Sequence, residues 1–245
     1  MRRPEINLDN WIPKTDLGKK VKSGEIKTID EILDKGLKIR ESEIIDKLMP
    51  ELETDLILIG QARGKFGGGQ RRAFKQTQKK TGDGSKVSFS TLAVVGNKDG
   101  YVGIGLGKSN ETVPAREKAI RNAKLNMIKI KRGCGSWECA CGTPHSIPFE
   151  VNGKCASSEI YIKPAPKGLG LCIADECKKV LELAGIKDVW SKTFGQTNTR
   201  VNLIFACFYA LKQLTKSKVN KKFEKHAGIK EGRLEWLKCC LELLD

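Results

Sequence analysis

Between Arg132 and His145 the chain reads RGCGSWECACGTPH, which gathers three of its nine cysteines and one of its two histidines into a short loop. Cys134, Cys139, Cys141 and His145 stand in the spacing C-x-x-x-x-C-x-C-x-x-x-H. Thiolate sulfur and imidazole nitrogen are donors that zinc accepts, four of them complete a tetrahedron, and glycine-containing loops let ligands close in sequence converge. The spacing departs from the paired C-x-x-C knuckle, so two readings stand: a structural zinc, or reduced thiols in a loop held by packing or by RNA. Glu138 is the sole acid in the stretch that could act as an acid or base, which argues against a catalytic zinc.

A second run, GYVGIGLGKS, invites comparison with phosphate-binding loops, in which backbone N–H groups and a lysine meet the anion. The spacing rejects it. A Walker loop needs glycine where this chain has Val102, and Gly103, Gly105 and Gly107 form G-x-G-x-G, not a dinucleotide fingerprint. Strand alternation puts these three glycines on one face, where another backbone or a helix is expected to approach closely. Only His145 and His226 are available for acid–base work, and no serine lies in a G-x-S-x-G context, so a hydrolase is not expected.

The charge balance points elsewhere. Lysine and arginine outnumber acids 45 to 29, a formal net charge of +16, which favours a polyanionic partner and nucleic acid above all. Arg63, Lys65, Arg71, Arg72, Lys75, Lys79, Lys80 and Lys86 crowd into residues 63–86 against one acid, Asp83, with Phe66 and Phe74 interleaved and Gly67-Gly68-Gly69 among them. Such a segment reads as a flexible basic loop ordered by phosphate contact, the alternative being a solvated linker. No apolar run is long enough to span a bilayer, and MRRPEINLDN lacks a signal-peptide core. With cysteines scattered and odd in number, a reducing, cytoplasmic setting is expected.

The elements that must position these groups follow from periodicity. Residues 1–54 hold short helical patterns, TIDEIL and ESEIIDKL, with Ser42 placed to cap, and read as an N-terminal extension. DLILIG is a strand, and VSFSTLAVVGNKDGYVGIGLGKS is a β-hairpin turning at Asp99-Gly100. A helix from Glu111 follows, capped by Thr112, with Ala115, Ala119, Ala123 and Met127 in a small-residue stripe and Arg116, Lys118, Arg121 and Lys124 on other faces. These elements make a unit over 55–131, joined by a Cys/His-rich connector (132–145) to a second unit over 146–214. That unit contains SSEIYIKPAPKGLGLCIA, the helix DECKKVLELAGI, the strand DVWSKTFG and a strongly apolar helix from Asn198. Cys172, Cys177 and Cys207 read as small buried hydrophobes. A basic tail spans 215–245 and ends in the amphipathic GRLEWLKCCLELLD.

The long ordered string FSTLAVVGNKDGYVGIGLGKSNETVPAREKAIRNAKLNMIKIKRG, followed by PHSIPFEV, KPAPKGLGLCIA and VLELAGIKDVWSKTFGQTN, resembles the small-subunit ribosomal protein S five family over residues 55–214. WIPKTDLGKKVKSGEIKTIDEIL resembles the extension of its archaeal and eukaryotic branch, whose eukaryotic member is S two, and RGCGSWECACGTPH resembles the archaeal form. The resemblance implies an α+β protein: a double-stranded-RNA-binding-like domain of β-sheet plus helix, then a β/α C-terminal domain of a kind also found in small-molecule kinases. It implies a structural constituent of the small ribosomal subunit that binds ribosomal RNA, supports assembly, lines the messenger RNA entry side and influences decoding fidelity. The neighbouring protein S four would meet Gly153–Lys163. The candidate RNA contacts are Arg63, Lys65, Arg71, Arg72, Lys75, Lys79, Lys80, Lys108, Arg121, Lys124, Lys131, Arg132, Lys163, Lys167 and Lys192. Two other readings are a free-standing RNA-binding module and a nucleotide-dependent kinase.

Overall fold

The computed structural model describes residues 11–61 and 71–233. In chain order it holds helices α1 (Asp16–Ser23), α2 (Ile29–Asp34) and α3 (Ser42–Leu48), then strands β1 (Glu53–Ile57), β2 (Phe74–Thr81), β3 (Gly84–Gly96) and β4 (Tyr101–Ser109). Next come α4 (Thr112–Leu125), β5 (Met127–Lys129), β6 (Lys131–Arg132), β7 (Val151–Cys155), β8 (Ser158–Pro164), β9 (Leu171–Cys172) and α5 (Asp175–Ala184). The chain continues through β10 (Val189–Gly195), α6 (Arg200–Lys216), α7 (Lys221–Ala227) and β11 (Lys230–Glu231).

The first sheet is antiparallel in the order β1-β3-β4-β5, and β2 continues along the same edge of β3 that β1 occupies. Its two faces do different work because side chains alternate. On one face a Cβ at Gly103, Gly105 or Gly107 would strike the backbone of α4 at Ala123, Ala119 or Ala115, so glycine opposite alanine lets helix and sheet backbones touch. The other face carries Leu92, Val94, Val102 and Ile104 into a cluster with Leu181 of α5, Ile160 and Ile162 of β8, and Leu203 and Ile204 of α6. Residues from both sheets thus share one apolar core.

The second sheet runs β7-β8-β10-β9, with β9 parallel to β10. Gly153 of β7 lies against Ala206 and Ala210 of α6, a second place where a missing side chain admits a helix. Before the first sheet, Val21, Ile32, Ile44 and Ile45 from the three short helices bury against Val95, Tyr101 and Met127. The Glu41 carboxylate ties this region together by accepting from Trp11 Nε1 and from the Lys14 and Thr15 amides at 3.0, 2.9 and 2.6 Å. Burial works against its charge, but those donors win and hold its pKa down.

Several expectations are corrected. The basic segment is not a loop over 74–86: β2 and the first half of β3 pair from Phe74↔Thr91 to Thr81↔Gly84, turning at Gly82-Asp83. Its alternating threonine, serine and glutamine suit a ladder, and Thr77 and Ser88 hydroxyls meet across it at 2.9 Å. At the β3–β4 turn the left-handed residues are Lys98 and Gly100, not Asp99. Asn97 Oδ1 closes the turn by accepting from the Asp99 and Tyr101 amides at 2.8 and 3.1 Å. Glu41 and Glu111, not Ser42 and Thr112, hold the N-cap positions of α3 and α4, and α6 is capped at Thr199 and begins at Arg200, not Asn198. Cys177 and Cys207 are buried as expected, whereas Cys172 is exposed, because Leu171 takes the inward position on the two-residue edge strand β9. The described part of the tail packs on the body: β11 pairs with β6, and the Cys134 amide donates to Ala227 O at 2.8 Å. The terminal GRLEWLKCCLELLD lies outside the described residues beyond Arg233.

Candidate metal centre and basic surface

The connector leaves β6 at Arg132, makes one bridge between Gly133 and Ser146, and passes Cys134 beneath α7. Two consecutive kinks build the far side of the loop, since Ala140 and Gly142 adopt positive φ on either side of Cys141. The result brings the four predicted groups together. Donor atoms of Cys134, Cys139, Cys141 and His145 all lie within 4.8 Å of one another. A tetrahedral zinc with sulfur ligands at about 2.3 Å sets sulfurs about 3.8 Å apart, so only a small contraction would close the site. Cys134 and His145 are buried while Cys141 is exposed, which leaves an entry side.

His145 is held in the orientation a metal ligand needs. Its Nδ1 lies 2.8 Å from Asp188 Oδ2, and its Nε2 faces Cys139 Sγ at 3.9 Å. A carboxylate only accepts, so Nδ1 carries a proton, and Nε2 is the nitrogen turned toward the thiols. The thiols differ in acidity. Burial pushes the Cys134 thiol up, whereas at Cys141 it is outweighed by hydrogen bonds from the Thr143 hydroxyl and amide and from Cys139 and Cys134, which bring the group down to about 6.

The predicted cations divide into two classes. Arg71, Arg72, Lys75, Lys79 and Lys80 are exposed around and along the β2–β3 ribbon, and Lys108, Arg121, Lys163, Lys167 and Lys192 are also exposed. Along the ribbon, Lys75 and Lys79 share a face with Lys86, Thr77, Ser88 and Ser90, and Lys79 stands directly opposite Lys86. Two of the set are corrected. Lys124 is buried, its ammonium 2.5 Å from Asp46, and Arg132 is buried, with Nη2 2.5 Å from Asp99 and donating to Gly232 O at 2.9 Å. Both are spent on internal ion pairs and present no charge to a partner. Lys131 is half-buried and pairs with Glu231 at 2.8 Å. Arg63 and Lys65 lie outside the described residues.

Sequence reasoning missed Asp188, Asp46 and Asp99, the acids that fix His145, Lys124 and Arg132. They lie 43, 78 and 33 residues from their partners, and no local spacing announces them.

Comparison with known proteins agrees with this architecture. Residues 71–131 match the family model described as ribosomal protein S5, N-terminal domain, and residues 153–223 match ribosomal protein S5, C-terminal domain. A protein of Nanoarchaeum equitans named "Small ribosomal subunit protein uS5" is 51% identical over 229 residues, 94% of this chain and 98% of its own. Its namesakes from Methanocaldococcus jannaschii and Methanobrevibacter smithii are 49% and 47% identical over 94% and 92% of this chain, each across 99% of its own length. The chain belongs to the ribosomal protein S5 family, in a form similar to those of archaea.

Proposed function

We propose that this chain is a non-enzymatic structural constituent of the small ribosomal subunit in the cytoplasm, binding subunit RNA and helping the subunit assemble. The observation that carries this reading is the β2–β3 ribbon. Its side chains from Lys75 to Lys80 are all exposed, and Lys79 faces Lys86 across the ladder, a like-charge pair that costs stability until an anion lies between them. Eight paired residues extend about 26 Å, long enough to follow several phosphates. Contact through phosphates and 2′-hydroxyls needs distributed cations and hydroxyls, which this face supplies.

Two finer roles belong to the same proposal: the ribbon and its neighbouring cations line the messenger RNA entry side, and the β7–β8 hairpin meets protein S four, through which decoding fidelity is influenced. The open face of the second sheet supports a protein contact there, since Tyr161 and Phe194 pack edge to face at 5.5 Å beside exposed Lys163 and Lys192. The Cys/His cluster is proposed to hold zinc as a structural brace. A kinase reading is opposed by the glycine stripe of β4, whose open side is filled by α4 and not by space for phosphate.

Sedimentation tests the main reading. The chain should travel with the small subunit and leave only at high salt, and replacing Lys75, Lys79, Lys80 and Lys86 with alanine should lower the salt needed for release. A monomer that stays off the subunit but selects one short oligonucleotide would instead favour a free-standing binding module.

A further inference from the structure

Asp188 sits at 4% exposure with more donors around it than a buried carboxylate needs for one histidine. Oδ2 faces His145 Nδ1 at 2.8 Å, while Oδ1 accepts from the Gly168 and Gly170 amides at 3.0 and 2.8 Å. The same residue's carbonyl accepts from Ser146 Oγ at 2.5 Å, and its amide donates to His145 O at 3.2 Å. Gly168 and Gly170 both have positive φ, and no atom lies near the Cβ position of either. The turn they frame presents Lys167 and Leu169 to solvent. Its amides therefore converge on one carboxylate whose other oxygen orients the candidate metal ligand.

We propose that Asp188 is a positioning residue coupling the Cys/His metal centre to the Lys167 turn, so that metal occupancy sets how firmly the turn is held. This rests on the metal reading given above. A metal on Nε2 requires the proton on Nδ1, which then donates to Oδ2; the imidazole, the carboxylate and the two glycine amides form one connected chain. When the metal leaves, Nε2 is no longer fixed and the imidazole is free to turn away from Asp188. Oδ2 then loses its donor, and the carboxylate that gathers the turn loses its anchor. A buried acceptor stripped of one of its few donors is costly to leave so, and the turn loosens with it.

The experiment uses the full-length chain with Zn(II) as the probe. Amide hydrogen exchange is followed at Gly168 and Gly170 in metal-loaded protein, after chelation, and after reloading. Chelation should speed exchange at these two amides and reloading should restore it, with α6 amides unchanged. Asp188→Asn supplies the second arm. An asparagine that keeps its oxygen toward the glycines turns its NH2 on Nδ1, and that favours the tautomer with Nε2 protonated. Zinc affinity should fall about 10- to 100-fold while the chelated protein unfolds at the wild-type denaturant midpoint. Wild-type zinc affinity in Asp188→Asn, or glycine amides indifferent to metal in a chain that does bind it, would overturn the coupling. No zinc taken up at all would overturn the metal reading and the coupling with it.

Discussion

The β2–β3 ribbon and the stretch from Lys131 through the connector to His145 both carry cations and glycine, yet the cations of one are laid open and those of the other are closed in. Along the ribbon no acid is paired with Lys75, Lys79, Lys80 or Lys86 among the described ion pairs. At the connector every cation has been met: Lys131 by Glu231, and Arg132 by Asp99 and two carbonyls. Net charge alone therefore says little about which lysines are left free to meet a polyanion. What decides it is whether the fold brings an acid within reach, and the acids that do so come from far along the chain.

The largest effect expected from breaking this contrast is at Arg132. Asp99→Ala leaves a guanidinium at 2% exposure without its counter-charge and should destabilise the chain by about 3 kcal/mol, near the low end for a broken buried pair because two carbonyls remain. Denaturant unfolding measures it. Next comes Asp46→Ala, which strands Lys124. Since the Asp46 side chain is 15% exposed, water relieves part of the cost, and a loss of about 2 kcal/mol is expected. Asp46→Ala combined with Lys124→Met should be closer to neutral, because it removes both charges together with their desolvation.

Ribbon lysines should behave oppositely. Alanine at Lys75, Lys79, Lys80 and Lys86 together should leave unfolding within about 0.5 kcal/mol of wild type. It should lower the dependence of log affinity for subunit RNA on log salt by about 3, at about 0.7 to 0.9 per lost phosphate contact on the single-strand and duplex scales. The smallest effect is at the exposed pair of α1, where Asp16→Ala removes an ion pair to Lys19 and should change stability by at most about 0.5 kcal/mol. A large loss there would mean surface pairs matter more than burial does.

What the sequence made legible follows the same division between local and distant. The Cys/His cluster could be read because its members fall within one loop, and the glycine stripe because strand alternation and the four-residue period of Ala115, Ala119 and Ala123 are both local patterns. The ribbon was misread as flexible because composition speaks of repulsion, while order there depends on an eight-residue register with β3. Lys124 and Arg132 were misread as free cations because their partners come from α3 and the β3–β4 turn. Asp188 had no signal, since its role exists only once β10 brings it beside the connector. Gly153, expected only within a protein contact, also admits α6 to the second sheet.

Lysine acylation read by mass spectrometry, on the free chain and on the assembled small subunit, tests the contrast most directly. Lys75, Lys79, Lys80 and Lys86 should react in the free chain and become protected in the subunit, with Lys124 unreactive in both states. Ribbon lysines that stay equally reactive in the subunit, or a Lys124 that reacts as readily as they do in the free chain, would contradict the account.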